Sequence, residues 1–365
     1  MVFNLLKISY KDLREQTYVM PDDRYKIAAF LTERVRDCLL ACPNNVDEKA
    51  TVMQLVLDNG IAVGRNLLFT TKFKAGNNEF LSQTGGSVEV YEKYRHRGIA
   101  SIILGQNNTE YDIYIGALYS QGALAIYRKK GDYLIESPLL IKPYNLEFYL
   151  QMKGVNGLAL NLLKPIVNVI QKIVCLPALL RKRALHRQYN VDCVRTVPEW
   201  AADIACNDTH LFMEKHDVAW LQWCLDYNMS DNPDDTQTFF LITEKKGSTR
   251  GFFMTKVRNN EEFGPYRNMK NGTIVEWGST DENSLTETDI LLLAEDSFDN
   301  NVTTIITVPQ DVAAITKLKR MGYFHRGNYV MSFSDAKNRF PDASDRSKWR
   351  IRYGCCNTII LKTSR

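Results

Sequence analysis

The chain has 365 residues, 45% of them hydrophobic and 24% charged, a balance expected of a folded, water-soluble protein with room for two domains. Its net charge of +4 is too small to argue for nucleic acid. The eight cysteines stand singly except for Cys355-Cys356, and none forms Cys-x-x-Cys, so no structural metal is expected. Together with a start, Met1–Lys7, that lacks the basic opening and long apolar run of a secretory leader, this leads to an expectation of reduced thiols in the cytoplasm.

Taken in chain order, Phe3–Ile8 reads as a strand, and Pro21-Asp22-Asp23 as the start of a helix running to about Cys38. Met53–Leu57 and Arg65–Phe73 read as paired strands around the turn Asp58-Asn59-Gly60. Val88 and Val90 alternate with Glu89 as in a half-buried strand, whereas Ile99, Ile102 and Ile103 fall at helical spacing. Between the two periods lies Arg95-His96-Arg97-Gly98-Ile99-Ala100, a basic strand-to-helix turn. The unpaired amides at the start of such a helix attract phosphate. Tyr111–Leu118 then reads as an aromatic, β-branched strand, and Gly122–Tyr133 as a short helix ended by Gly131.

The segment from Val88 to Leu104 resembles the acyl-CoA pyrophosphate loop of the GNAT-type N-acetyltransferase superfamily. There a strand and a short turn lead into Arg/Gln-x-x-Gly-x-Gly/Ala. Arg95, Gly98 and Ala100 match the three defining positions, while Val90, Tyr94, Arg97 and Ile99 fit the flanks. His96 stands where many members carry an extra glycine. The helix Ala123-x-x-x-Tyr127-x-x-x-Gly131 matches the one that follows the fifth strand in the same superfamily, whose tyrosine often protonates the departing CoA thiolate.

Residues 141–196 fit no such pattern. Leu158–Leu180 is strongly apolar but is divided by Pro165 and Pro177, and Asn161, Lys164, Asn168, Gln171 and Lys172 form one narrow polar stripe. Arg181-Lys182-Arg183 and His186-Arg187 follow. A membrane span fits by length but is weakened by the lysines and prolines. Two readings stay open: an interfacial helix making peripheral membrane contact through 158–187, and a helical pair buried between two lobes. From about Thr196 the order of elements begins again. His216–Tyr227, Thr286–Ser297 and Asp311–Met321 read as helices; Thr238–Thr243, Gly251–Val257, Thr273–Trp277, Val302–Val308 and Tyr329–Phe333 read as strands. Ala314–Tyr323 echoes Ala123–Tyr133, but Gly278–Thr286 lacks the loop motif, and Asp281 and Glu282 would repel a pyrophosphate there. The expected architecture is α/β (α+β): two tandem GNAT-like domains, each a mixed central sheet flanked by helices. An acyl-CoA-binding domain spans 1–140, a helical linker 141–196, a degenerate second domain 197–340, and a tail of one or two strands 341–365.

The resemblance implies an acyl-CoA-dependent acyltransferase moving an acetyl group from acetyl-CoA to an amine. Val88, Val90, Arg95, His96, Arg97, Gly98, Ile99 and Ala100 would bind the cofactor. An amide near Val90 would hold the oxyanion. Glu89 would be the base that deprotonates the amine, and Tyr127 the acid that protonates the thiolate. The acceptor is expected between the lobes. Tandem units of this kind also occur in bacterial acyltransferases linked with cell-surface polysaccharide and in Fem-type aminoacyl-tRNA-dependent transferases, which would use the basic segment 181–187 for RNA. A non-catalytic scaffold on a degenerate fold is the third alternative.

Overall fold

The computed structural model describes residues 3–27, 32–105, 110–117, 121–230, 232–263, 266–298 and 302–355. In the first half, β1 (Phe3–Ser9) runs into α1 (Tyr10–Glu15), then come α2 (Glu33–Leu40), β2 (Thr51–Asp58), β3 (Ile61–Ala75) and β4 (Asn78–Val90). They are followed by α3 (Ile99–Gly105), β5 (Ile113–Ala117), α4 (Gln121–Lys130) and β6 (Tyr133–Pro143). Then come α5 (Leu146–Met152), α6 (Gly157–Gln188), β7 (Tyr189–Val194), α7 (Glu199–Cys206), β8 (Phe212–Glu214) and α8 (Val218–Tyr227). The second half repeats the order of the first in β9 (Thr236–Glu244), β10 (Arg250–Phe263), β11 (Tyr266–Ser279), α9 (Glu287–Glu295), β12 (Thr304–Thr307), α10 (Val312–Lys319) and β13 (Phe324–Asp335).

Local chemistry explains most boundaries. Asn59 and Gly60, both at positive φ, form the two-residue turn between β2 and β3. The helix expected from Pro21 instead starts at Thr32, whose hydroxyl accepts from the Val35 amide, while Asp22 bridges to Ile61 on the sheet. Only Val88–Val90 is legible as strand by alternation, yet β4 begins ten residues earlier. Its Gly85-Gly86 and polar residues hide the period that burial on both faces removes.

The two repeats share a single 13-stranded sheet, ordered β1-β2-β3-β4-β5-β13-β6-β12-β11-β10-β9-β7. Each repeat gives its last strand to the other. β6 pairs antiparallel with β12, β13 pairs antiparallel with β5, and the two exchanged strands pair with each other from Phe324↔Ile141 to Phe333↔Tyr133. The junction between the repeats along the sheet is thus filled by hydrogen-bonded strands. β8, from the second half, adds to β3 of the first. Aromatic packing follows the same exchange: Phe333 of β13 lies 5.0 Å from Phe73 of β3 and 5.2 Å from Trp349, ring centre to ring centre.

Residues 141–196 depart from the buried-pair reading. α6 is one continuous 32-residue helix, with Pro165 and Pro177 inside it, and most of its surface is open to solvent. The tail expected as strands forms two short 3-10 turns, Pro341–Ser344 and Arg346–Lys348, and one bridge from Trp349 to Phe212. The rest of that expected tail, 356–365, lies outside the described residues.

A buried charge network joins β8, β11 and the tail. The His216 imidazole lies between the carboxylates of Glu214 and Glu276, and Arg350 donates to Glu276 from the other side. Burial alone would lower the His216 pKa, but its hydrogen bonds to the two glutamates outweigh this and raise it to about 9. Burial likewise opposes ionisation of Glu276, and Arg350 and His216 overcome it, holding Glu276 at about 2. The raised histidine contributes stability that is fully present below its unfolded value near 6.5 and is lost as pH rises through about 9. Lys256, lowered to about 7 by burial, works in the opposite direction over that range. The expected outcome is therefore a difference: the stability advantage of the wild type over His216→Gln shrinks by on the order of 3 kcal/mol between pH 6.5 and 9. Urea titrations of both proteins across that range measure it, and a constant difference would refute the charged histidine.

Candidate active site

The site lies where β4 parts from β5. The two strands run parallel and are registered only at Gln83↔Tyr114 and Thr84↔Ile115. Beyond Thr84, β4 continues to Val90 paired with β3 alone, while β5 continues to Ala117 paired with β13. A wedge opens between them. On the β3 side the register advances two residues from Arg65 to Leu67 while β4 advances three, from Gly86 to Glu89. This bulge contains Ser87 at φ 57° and takes Ser87 and Val88 out of the regular ladder.

Gly85 stands at the point of the wedge. A Cβ there would sit 2.5 Å from the Tyr114 hydroxyl and 3.4 Å from Asn66 Oδ1, so only glycine lets both groups approach the strand. The Tyr114 hydroxyl is 3.0 Å from that of Tyr127 on α4, with the two rings stacked at 6.0 Å. Tyr127 is fully buried. Asn66 donates to Gln54 Oε1 at 3.1 Å, and among the described residues its own buried oxygen has no hydrogen-bond partner. Polar atoms from β3 and β5 thus converge on one glycine of β4, with the α4 hydroxyl of Tyr127 next to that of Tyr114.

β4 ends in the expected turn. Tyr91 stacks on Tyr25 at 4.0 Å, and the Tyr94 hydroxyl donates to Asp58 at 2.9 Å, which anchors the start of the loop. Arg95, His96, Arg97 and Gly98 follow, all exposed. The Arg95 Nε donates to Val90 O at 3.3 Å, and the Arg97 guanidinium lies 5.2 Å over the Tyr94 ring. His96 and Gly98 adopt left-handed φ of 65° and 82°. That geometry explains why glycine suits position 96 and why histidine is strained there. Ile99 is buried and Ala100 half-buried, opening α3. α3 sits close to the sheet because Gly64 of β3 has no side chain: a Cβ would meet Ile99 Cγ2 at 2.7 Å. Val88 is exposed and Val90 half-buried on either side of Glu89.

Glu89 is not a base standing open in the wedge. Its carboxylate is 2.7 Å from the Arg65 guanidinium, and both side chains are almost fully buried. Arg65 also donates to the carbonyls of Ser87 and Ile27, so the pair fastens the bulge of β4 to β3. Asn66, Gly85 and Tyr114 escaped the sequence reading, and only the Gly85-Gly86 pair inside a strand could have signalled a close approach.

In the second repeat the corresponding turn, between β11 and α9, is closed by acids. Asp281 accepts from the Ser284 hydroxyl and the Asn283 amide, and Thr286 and Asp289 form a capping box on α9. Elsewhere, Glu214, His216 and Cys355 bring metal-type ligand atoms within 4.8 Å of one another. Both histidine nitrogens, however, face carboxylates, and burial pushes the Cys355 thiol up to about 12. The guanidinium of Arg350 already supplies the positive charge a cation would bring.

No family model and no curated protein matches the chain. Solved structures do. A probable N-acyltransferase from Enterococcus faecalis V583 matches over 93% of this chain and 74% of its own, with a TM-score of 0.51 and 11% identity. A GCN5-related N-acetyltransferase from Anabaena variabilis matches over 92% and 73%, with a TM-score of 0.50 and 9% identity. Saccharomyces cerevisiae N-myristoyltransferase with bound myristoyl-CoA matches over 91% and 78%, with a TM-score of 0.52 and 9% identity.

The Glu89–Arg65 pair generates a direct test. Glu89→Gln leaves a buried guanidinium uncompensated and is expected to lower unfolding stability by about 3–5 kcal/mol. A urea titration measures this; unchanged stability would return Glu89 to the role of an unengaged base.

Proposed function

We propose that this chain, which has the GNAT-type N-acetyltransferase fold, is an acyl-CoA-dependent acyltransferase that transfers an acetyl group to an amine. The observation that carries this reading is the parting of β4 from β5 directly ahead of the Arg95–Ala100 loop. The loop offers the guanidinium of Arg95 and main-chain amides at Gly98–Ala100 to a diphosphate. From there the pantetheine arm would run into the wedge toward Gly85.

In the reaction the amine nitrogen attacks the thioester carbonyl, a C–N bond forms and the C–S bond breaks. The oxygen becomes negative at the tetrahedral stage, and an amide of the β4 bulge at Val88–Val90 is positioned to donate to it; such a donor contributes about 3–4 kcal/mol. The departing thiolate takes the proton of Tyr127, whose hydroxyl is relayed to that of Tyr114. The proton lost by the amine passes to water, since Glu89 is engaged by Arg65. Half of the lysines and arginines in the basic segment that a tRNA-dependent ligase would need are ion-paired: Arg181 to Asp289, and Lys182 to Glu295 and Asp296. That weakens the Fem-type alternative.

Calorimetric titration of acetyl-CoA is expected to give saturable binding that falls by about 10- to 100-fold in Gly98→Glu, where a carboxylate enters the phosphate loop. Equal binding by both proteins, or none by the wild type, would overturn the cofactor site. With an amine acceptor in hand, Tyr127→Phe is expected to lower kcat by about 10²-fold while leaving KM for acetyl-CoA little changed. An unaltered kcat would reduce Tyr127 to packing.

A further inference from the structure

α6 touches the rest of the molecule along one narrow face. Leu160, Val167, Gln171, Cys175, Ala178, Lys182 and Leu185 are its buried or half-buried residues, at spacings of three, four and seven. Gln171 donates to the carbonyls of Pro143 and Tyr144; Arg181 pairs with Asp289 and Lys182 with Glu295. The opposite face carries Leu162, Ile166, Val169, Ile173, Leu176 and Leu180, each between 48% and 66% exposed. A contiguous apolar stripe on this scale is not an ordinary solvent face.

We propose that α6 is an interfacial helix that lies flat on an anionic lipid membrane, apolar stripe inward. Charge selects the occupant. α6 contains six lysines and arginines and no aspartate or glutamate. Among the described residues, Lys172, Arg183 and Arg187 ion-pair with no acid, and all three are exposed. Lys172 and Arg183 line a groove of ≈ 680 Å³ beside the helix, together with Lys182, His186 and Asp296. A second copy of the chain fits poorly. Parallel pairing of two α6 helices would bring the two 181–187 clusters together, and antiparallel pairing would bring Lys172 onto Lys172, with no acid on either helix to offset them.

The helix does not cross the bilayer, although among the described residues it alone is long and apolar enough to do so. It is about 48 Å long, and its buried face runs on the protein from Leu160 to Leu185. A crossing would drag the sheet into the hydrocarbon. Lying flat, the stripe reaches the acyl region while the cations stay at headgroup level, the arrangement of monotopic helices. Pro165 and Pro177 are compatible with this, because a carbonyl freed by either can still meet interfacial water.

Co-flotation of the full chain with vesicles tests the proposal without reference to catalysis. The expected result is binding to phosphatidylcholine vesicles containing phosphatidylglycerol, and little to phosphatidylcholine alone. Arg183→Glu/Arg187→Glu should reduce partitioning by roughly tenfold or more, at about fivefold per lost cation. Ile166→Asp/Ile173→Asp, two exposed positions, should abolish it with the melting temperature unchanged. Failure of the wild type to float, equal flotation on neutral vesicles, or indifference to either variant would overturn the proposal. So would a wild-type dimer that ignores vesicles and that Ile166→Asp/Ile173→Asp dissolves, which would assign the stripe to a second copy.

Discussion

The central constraint is the reciprocal exchange of the last strand of each repeat. β6 reaches the edge strand of the second repeat, β12, and β13 reaches that of the first, β5. Neither repeat completes its own sheet. Burial of β13 between β5 and β6 takes Phe333, Tyr329 and Met331 into a core whose other members come from β3, β5, β6, β8 and the tail. Two repeats joined by a linker could slide or separate; two repeats that complete each other's ladders cannot do so without breaking backbone hydrogen bonds in the middle of a sheet. The positions of β5 and α4, and therefore of Tyr114 and Tyr127, are set from the far end of the chain.

The wedge follows from that constraint. β5 is held on one side by β13 and can give only two residues of pairing to β4 on the other. β4 is held by β3, through a bulge that the buried Arg65–Glu89 pair fastens. With each strand secured by a different neighbour, the space between them needs no prop of its own, and glycine at position 85 leaves it to the tyrosine hydroxyls. A cleft built in this way is a property of sheet topology, with local sequence contributing mainly the loop that follows.

This division explains what was legible. The loop Arg95–Ala100 was readable because its chemistry is local: left-handed turns, basic side chains and a helix start lie within six residues. The helix bearing Tyr127 was readable from its glycine stop. The repeat order of the second half was readable from its alternation of strand and helix. The exchange was not, because which strands become neighbours is fixed by partners some 190 residues away. The partner of Glu89 was hidden for the same reason: alternation gives a face, but Arg65 is brought opposite it only by the β3–β4 register. α6 was divided at its prolines by a rule that holds in buried helix interiors, and an exposed helix relaxes that rule.

The second repeat shows what became of the same architectural position when the loop was lost. α9 follows β11 as α3 follows β4, so its N-terminus is the counterpart of the proposed phosphate site. There Asp289 caps the helix with Thr286 and also accepts two hydrogen bonds from Arg181 of α6, at 2.7 and 2.8 Å. The carboxylate supplied by the chain takes the place an external anion would occupy at the positive end of the helix. It binds an arginine from α6, a helix with no counterpart in the first repeat. The helix N-terminus that carries the proposed phosphate loop in the first repeat is, in the second, an anchor for an exposed apolar helix. Where the Arg-x-x-Gly-x-Ala pattern is absent, between Gly278 and Thr286, Asp281 and Thr286 close the turn, and Asp289 also holds α6 on the surface of the sheet.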